Sequence, residues 1–239
     1  MALVTGGGQG VGQGVARVLA RQGAAVAVND LELTRAESTA TMVRAEGRKA
    51  HAVAFDVADY DAVAAGVAEI EAALGAIDIL VNNAGIPPSM MTVQFREMDP
   101  EAWRPYIDVN LYGVLNCTKA VIDGMCERGW GRVITISSGA GTSGLNIGIS
   151  AYGAGKGGGI GFMRHLAMET ARFGVTANTL ALGLMGRGDG TPMPDLAKRV
   201  PLGRLGTGED VGAAVVWLAA EAPWVTGQTI GINGGSLTS

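Results

Sequence analysis

The chain has 239 residues, of which 48% are hydrophobic and 17% charged, with 38 glycines and a net charge of −4. This is a globular composition with enough apolar material for the core of one α/β domain spanning residues 1–239. The acidic balance and the lack of any basic run argue against nucleic-acid or anionic-membrane partners, and no apolar stretch approaches the roughly 20 residues of a membrane span.

The N-terminus, Met1-Ala2-Leu3-Val4-Thr5-Gly6, enters a strand directly, with no charged leader or cleavage site. Apolar runs of strand length at 2–5, 24–30, 50–56, 77–82, 132–137, 175–181 and 228–232 alternate with helix-length segments at 12–22, 34–47, 59–74, 100–128, 151–173 and 208–220. Such alternation predicts a doubly wound parallel sheet of about seven strands with helices on both faces. The unbroken run Ala24-Ala25-Val26-Ala27-Val28 suits a strand buried on both sides. Cys117 and Cys126 fall within one predicted helix and read as reduced packing residues, which fits a cytoplasmic protein. With His51 and His165 alone and no clustered cysteines, no metal site is expected.

Thr5-Gly6-Gly7-Gly8-Gln9-Gly10-Val11-Gly12 lies between the first strand and the first helix. Glycines there permit a tight turn and let a pyrophosphate approach the amides at a helix N-terminus. The spacing is T-G-x-x-x-G-x-G rather than strict G-x-G-x-x-G. Asp30, followed by Leu31, closes the second strand, where a carboxylate can accept hydrogen bonds from both adenosine ribose hydroxyls and repel a 2′-phosphate. No lysine or arginine lies in the loop or directly after Asp30, so NAD is favoured over NADP. Asp56-Val57, at the end of the third strand, stands where an adenine ring would lie, although a plain strand-end cap would read the same way.

Tyr152 and Lys156 stand four positions apart, which puts both on one face of a helix. An ammonium near a phenol favours the phenolate, so the tyrosine pKa is expected to fall from about 10 toward neutrality. A phenol there can exchange protons with a substrate. Alone, the spacing reads more readily as a buried aromatic beside a surface lysine.

Taken together and in order, these motifs resemble the short-chain dehydrogenase/reductase family over essentially the whole chain. The carriers are the glycine loop, Asn82-Asn83-Ala84-Gly85 after the fourth strand, Asn110, Ser137-Ser138 after the fifth, Tyr-x-x-x-Lys at Tyr152 and Lys156, and Asn233-Gly234-Gly235 near the end. Within the family the chain looks most like the 3-oxoacyl-[acyl-carrier-protein] reductase group. The resemblance implies hydride transfer between a nicotinamide and a carbinol or carbonyl carbon. Tyr152 would exchange the proton, and Lys156 would lower its pKa and hold the nicotinamide ribose. Ser138 would hydrogen-bond the substrate oxygen, with Ser137 as the alternative. Asn110 would place a water that links Lys156 to solvent. Gly6, Gln9, Gly10, Val11, Gly12, Asp30, Leu31, Asp56, Val57, Asn83, Ala84, Gly85, Gly183 and Met185 would join Tyr152 and Lys156 in holding the cofactor. A homotetramer or homodimer is also implied.

The chain departs from the family pattern after the sixth strand, where Leu182-Gly183 replaces the usual Pro-Gly and no threonine follows in Leu184-Met185-Gly186-Arg187. The stretch 184–200 is short for a flap over the substrate. Gly153, Gly155, Gly157, Gly158, Gly159 and Gly161 crowd the tyrosine helix at about 1 kcal/mol each relative to alanine. They predict close packing on the sheet or against another subunit. The expected substrate is a moderately hydrophobic secondary alcohol or ketone, and NAD use points to oxidation. The alternative is a catalytically silent dinucleotide-binding redox sensor or scaffold.

Overall fold

The computed structural model describes every residue except Pro88, Asp189 and Ser239. Seven strands form one parallel sheet: β1 (Ala2–Val4), β2 (Val26–Asp30), β3 (Ala50–Ala54), β4 (Ile79–Asn82), β5 (Gly131–Ser138), β6 (Val175–Leu182) and β7 (Thr229–Ile232). Their order is β3-β2-β1-β4-β5-β6-β7. Winding therefore runs outward in both directions from β1 and β4, which pair Leu3 with Leu80. A crevice opens at the carboxyl ends of such a pair, because their following loops leave in opposite directions.

The principal helices are α1 (Gly10–Arg21), α2 (Leu33–Ala45), α3 (Tyr60–Leu74), α4 (Arg104–Ile107), α5 (Gly113–Glu127), α6 (Gly139–Thr142), α7 (Ser150–Thr170), α8 (Pro194–Ala197) and α9 (Gly208–Val216). One sheet face packs Val4, Val28, Ile134 and Leu180 against Val15, Leu19, Val211 and Val215 of α1 and α9. The other packs Leu3, Leu80, Val133 and Ala177 against Ile70, Cys117, Met125 and Met163 of α3, α5 and α7. All five residues of β2 are buried, as its apolar run requires. Helix α3 starts on Asp59, whose carboxylate accepts from the amides of Asp61 and Ala62. Helix α9 starts on a reciprocal cap between Thr207 and Asp210.

The expected single helix over 100–128 is broken into pieces. Pro100–Trp103 is a 3₁₀ turn, α4 follows, and Asp108–Tyr112 is a π turn before α5. Asn110 causes the widening: its side-chain Nδ2 donates to the Tyr106 carbonyl at 2.9 Å, competing for an acceptor that a regular helix gives to the amide of Asn110. The glycines of α7 pack largely against other helices of the same chain. A Cβ on Gly155 would lie 2.7 Å from the Tyr106 oxygen, and one on Gly153 would lie 2.9 Å from the Ala140 oxygen. Gly158 faces Leu111 and Gly159 faces the carbonyl of Asn110, whereas among the described residues no atom lies within 4 Å of a Cβ built on Gly161.

Candidate active site

A cleft of about 630 Å³ opens at the carboxyl ends of the strands. Every residue expected to hold a dinucleotide lines it: Gly6, Gln9, Gly10, Val11, Gly12, Asp30, Leu31, Asp56, Val57, Asn83, Ala84, Gly85, Tyr152, Lys156, Gly183 and Met185. Ser137 and Ser138 line it too. Asn110 stands just behind, 1% exposed.

The glycine loop is bolted to β4. Asn83 donates from Nδ2 to the carbonyls of Thr5 and Gly6, both at 2.9 Å, while Thr5 Oγ1 accepts from the amides of Asn83 and Ala84. Gly6 and Gly10 have φ of 57° and 54°, a region that costs other residues strain. Gly12 lies so close to the loop that a Cβ there would meet the Gly6 oxygen at 2.4 Å and Asn83 Nδ2 at 2.5 Å. Among the described residues, no side chain caps α1 and no acidic residue occupies its first turn, so its first-turn amides have no side-chain acceptor there.

At the far end, Asp30 is held from two sides. Its Oδ2 accepts from the Gly8 amide at 3.1 Å and its Oδ1 from the Glu32 amide at 3.2 Å. Each oxygen keeps a further lone pair for a ligand hydroxyl. The expectation that no cation stands nearby needs correction. Arg35, in the first turn of α2, lines the cleft, and its Cβ would be 2.6 Å from a Cβ on Gly8. Its Nη2 pairs with Glu32 Oε1 at 2.8 Å. One helical turn carries this arginine back over the loop, which a reading confined to the residues next to Asp30 misses. Arg187 lines the cleft as well. Asp56 Oδ1 accepts from the Ala58 amide, and Asn116 ties down the Val57 carbonyl at 2.9 Å.

Tyr152 and Lys156 face the same cleft, with Lys156 Nζ 5.8 Å from the centre of the phenol ring. Lys156 is 6% exposed and donates to the Ile136 carbonyl at 2.7 Å. Burial brings its pKa down to about 8. The tyrosine departs from expectation. Burial pushes the Tyr152 phenol up, and only the hydrogen bond with Ser138 pulls it down. Desolvation of the phenolate outweighs any help from an ammonium aimed at a carbonyl. Ser138 Oγ also accepts from the Ala140 amide, capping α6, whereas Ser137 Oγ donates to the Lys156 carbonyl at 3.3 Å.

Asn110 Oδ1 is buried and has no hydrogen-bond partner among the described residues. Gly85 separates it from the lysine: a Cβ there would lie 2.4 Å from Lys156 Nζ and 2.9 Å from Asn110 Oδ1. The π turn, the Asn-Asn-Ala-Gly turn and α7 thus converge on one buried polar point. At the end of β6, Leu182 is a core residue paired with Ile232, and Gly183 is required because a Cβ would meet Asn233 Cα at 2.7 Å. The stretch 184–200 holds α8 and a bridge between Met185 and Gly206, with Asp189 outside the described residues.

Residues 1–193 match the short chain dehydrogenase family. The chain is 41% identical to nodulation protein G of Azospirillum brasilense, over 98% of this chain and 97% of that protein. It is 38% identical to acetoacetyl-CoA reductase of Shinella zoogloeoides over the same shares. A crystal structure of a 3-oxoacyl-[acyl-carrier protein] reductase with bound NAD from Brucella melitensis superposes with a TM-score of 0.90 at 34% identity, covering 99% of this chain and 91% of that one. A doubly wound sheet, a glycine loop bolted to the Asn-Asn-Ala-Gly turn, and Ser138, Tyr152 and Lys156 gathered at one cleft agree with these likenesses: the chain belongs to the short-chain dehydrogenases, oxidoreductases that act on CH–OH and ketone groups with a nicotinamide cofactor.

Proposed function

We propose that residues 1–239 form one catalytic unit that interconverts a secondary alcohol and a ketone with NAD(H), and that 3-oxoacyl thioesters are its substrate class. The observation that carries this reading is the placement of Ser138, Tyr152 and Lys156 in the cleft that also holds the glycine loop and Asp30. The donor set suits a dinucleotide: uncapped α1 amides for a pyrophosphate, and the remaining lone pairs of Asp30 for a ribose. Among the relatives, an acetoacetyl-CoA reductase and a 3-oxoacyl reductase with bound NAD support the substrate and cofactor.

A nicotinamide held in this cleft would supply the hydride exchanged with the substrate carbon. Tyr152 gives its phenolic proton to the substrate oxygen in reduction and takes it back in oxidation. Burial keeps the phenol in its protonated form, the form that reduction consumes and oxidation restores. Ser138 steadies the phenol and offers its hydroxyl to the same oxygen; Ser137 is engaged with α7. Lys156 sets a positive charge beside the reacting groups. Asn110 Oδ1 supplies an acceptor for a water that returns protons to Lys156. Asp30 repels a 2′-phosphate, and Glu32 holds Arg35 away from it, so NAD is preferred over NADP.

The unit works as a homotetramer or homodimer, in keeping with the open side of Gly161 and the 81% exposed Met168 on α7. Its free thiols, Cys117 and Cys126, fit the reducing cytoplasm. The test follows NADH absorbance with acetoacetyl-CoA. Wild type turns over, and Tyr152→Phe loses about 10²–10⁴ in rate while its NADH Kd stays within about twofold. Full activity in the variant would require another proton donor. Tighter binding of NADPH than NADH by fluorescence titration would overturn the role of Asp30.

A further inference from the structure

Tyr106 has no part in the proton chemistry above, yet it makes three contacts that meet at the site. It is 4% exposed, in α4. Its hydroxyl accepts from the Met91 amide at 2.9 Å and donates to the Met91 carbonyl at 3.2 Å. Its own carbonyl accepts from Asn110 Nδ2 at 2.9 Å. That same carbonyl lies against α7 at Gly155, between Tyr152 and Lys156.

We propose that Tyr106 is a positioning residue that clamps the segment after β4 as the wall of the substrate space and ties that wall to Asn110. This inference rests on the reductase reading. The segment leaves β4 through Gly85, Ile86 and Pro87, which line the cleft. Its described residues form no strand or helix before Phe95; the Met90 amide turns back to the Pro87 carbonyl at 2.9 Å, and further backbone groups need partners on other segments. Among the described residues, two such anchors are present. Met91 is gripped at both its amide and its carbonyl by the one phenol, and the Val93 amide donates to the Gly148 carbonyl at 2.8 Å. Gly148 is in the left-handed region at φ 70°, and a Cβ on it would lie 2.9 Å from the Val93 nitrogen. The wall is therefore suspended between α4 and the loop that follows α6. Met91 is 64% exposed, so water replaces the phenol once the hydroxyl is gone, and the segment moves without the core unfolding.

Tyr106→Phe removes the clamp and keeps the ring. With acetoacetyl-CoA and NADH, KM for the thioester is expected to rise about fivefold, in line with the loss of a net hydrogen bond. The value of kcat should fall less than about threefold and NADH affinity should hold, because Asn110 is held by the backbone carbonyl of Tyr106, which the substitution leaves in place. Gly148→Ala, at the second anchor, should raise KM in the same way. Amide exchange at Met91 and Val93, read by mass spectrometry, should quicken in Tyr106→Phe while α7 exchange is unchanged. That readout is independent of turnover: a wild type inactive on thioesters defeats the reductase reading, and the exchange still decides the clamp. Unchanged KM together with unchanged Met91 exchange overturns the proposal, as does faster exchange spread evenly over α4, α5 and α7.

Discussion

Replacing Lys156 with methionine is expected to strengthen the fold while disabling the site. Lys156 is nearly enclosed, and burial brings its pKa from 10.5 to about 8. At about 1.4 kcal/mol per pH unit, holding the charged amine in the folded protein costs about 3 kcal/mol. Methionine fills a similar volume without charge, but it leaves the Ile136 carbonyl without its 2.7 Å partner. That loss returns about 1.5 kcal/mol, because the carbonyl loses a charged donor. The net gain is about 1.5 kcal/mol, equivalent to about 3–6 °C in Tm for a chain of this size. The sign of the pH dependence follows from proton counting. Below pH 8 the folded and unfolded chains both hold the proton, and the penalty is present in full. Between pH 8 and 10.5 only the unfolded chain holds it, so wild-type stability rises with pH and the advantage of the variant shrinks. Urea unfolding of both proteins at equal concentration, at pH 7 and pH 9.5, measures this. A variant less stable than wild type at pH 7, or one with the same advantage at both pH values, would refute the reasoning.

On the proposed reading, Asp30→Ala would remove an acceptor for the ribose hydroxyls and the repulsion toward a 2′-phosphate, leaving Arg35 nearby. NADH Kd is expected to rise about tenfold and NADPH Kd to fall, both read by nicotinamide fluorescence; an unchanged ratio would contradict the role of the carboxylate. Gly12→Ala places a Cβ 2.4 Å from the Gly6 oxygen and forces the glycine loop to move. A loss of about 1–3 kcal/mol in urea unfolding and weaker NADH binding are expected, and a stable variant with wild-type affinity would show that the loop has room to give.

The positions of strands and helices were legible because apolar runs and helix-length segments are local patterns, and all seven predicted strands exist within a residue or two of their expected ends. Most of the candidates expected to hold a cofactor line one cleft because they follow strands, and the carboxyl ends of parallel strands share one side of the sheet. The break at Asn110 was not: nothing local marks an asparagine that will take the Tyr106 carbonyl for its own side chain. Nor was the short helix after Ser138, where the serine hydroxyl caps Gly139–Thr142 and also meets the phenol. Arg35 escaped notice because helical winding, not chain adjacency, brings it to Gly8.

Sequence alone determined that Tyr152 and Lys156 share a helix face, since four residues are about one turn in any α-helix. Whether the phenol is more or less acidic than a free one depended on what surrounds it. Strand β5 supplies the Ile136 carbonyl that takes the amine, and Ser138 supplies the hydroxyl that meets the phenol. The Tyr106–Asn110 turn and Gly85 close the space behind Lys156. Solvation is a property of the whole enclosure, built from segments far apart in the chain, and no spacing rule within one helix contains it.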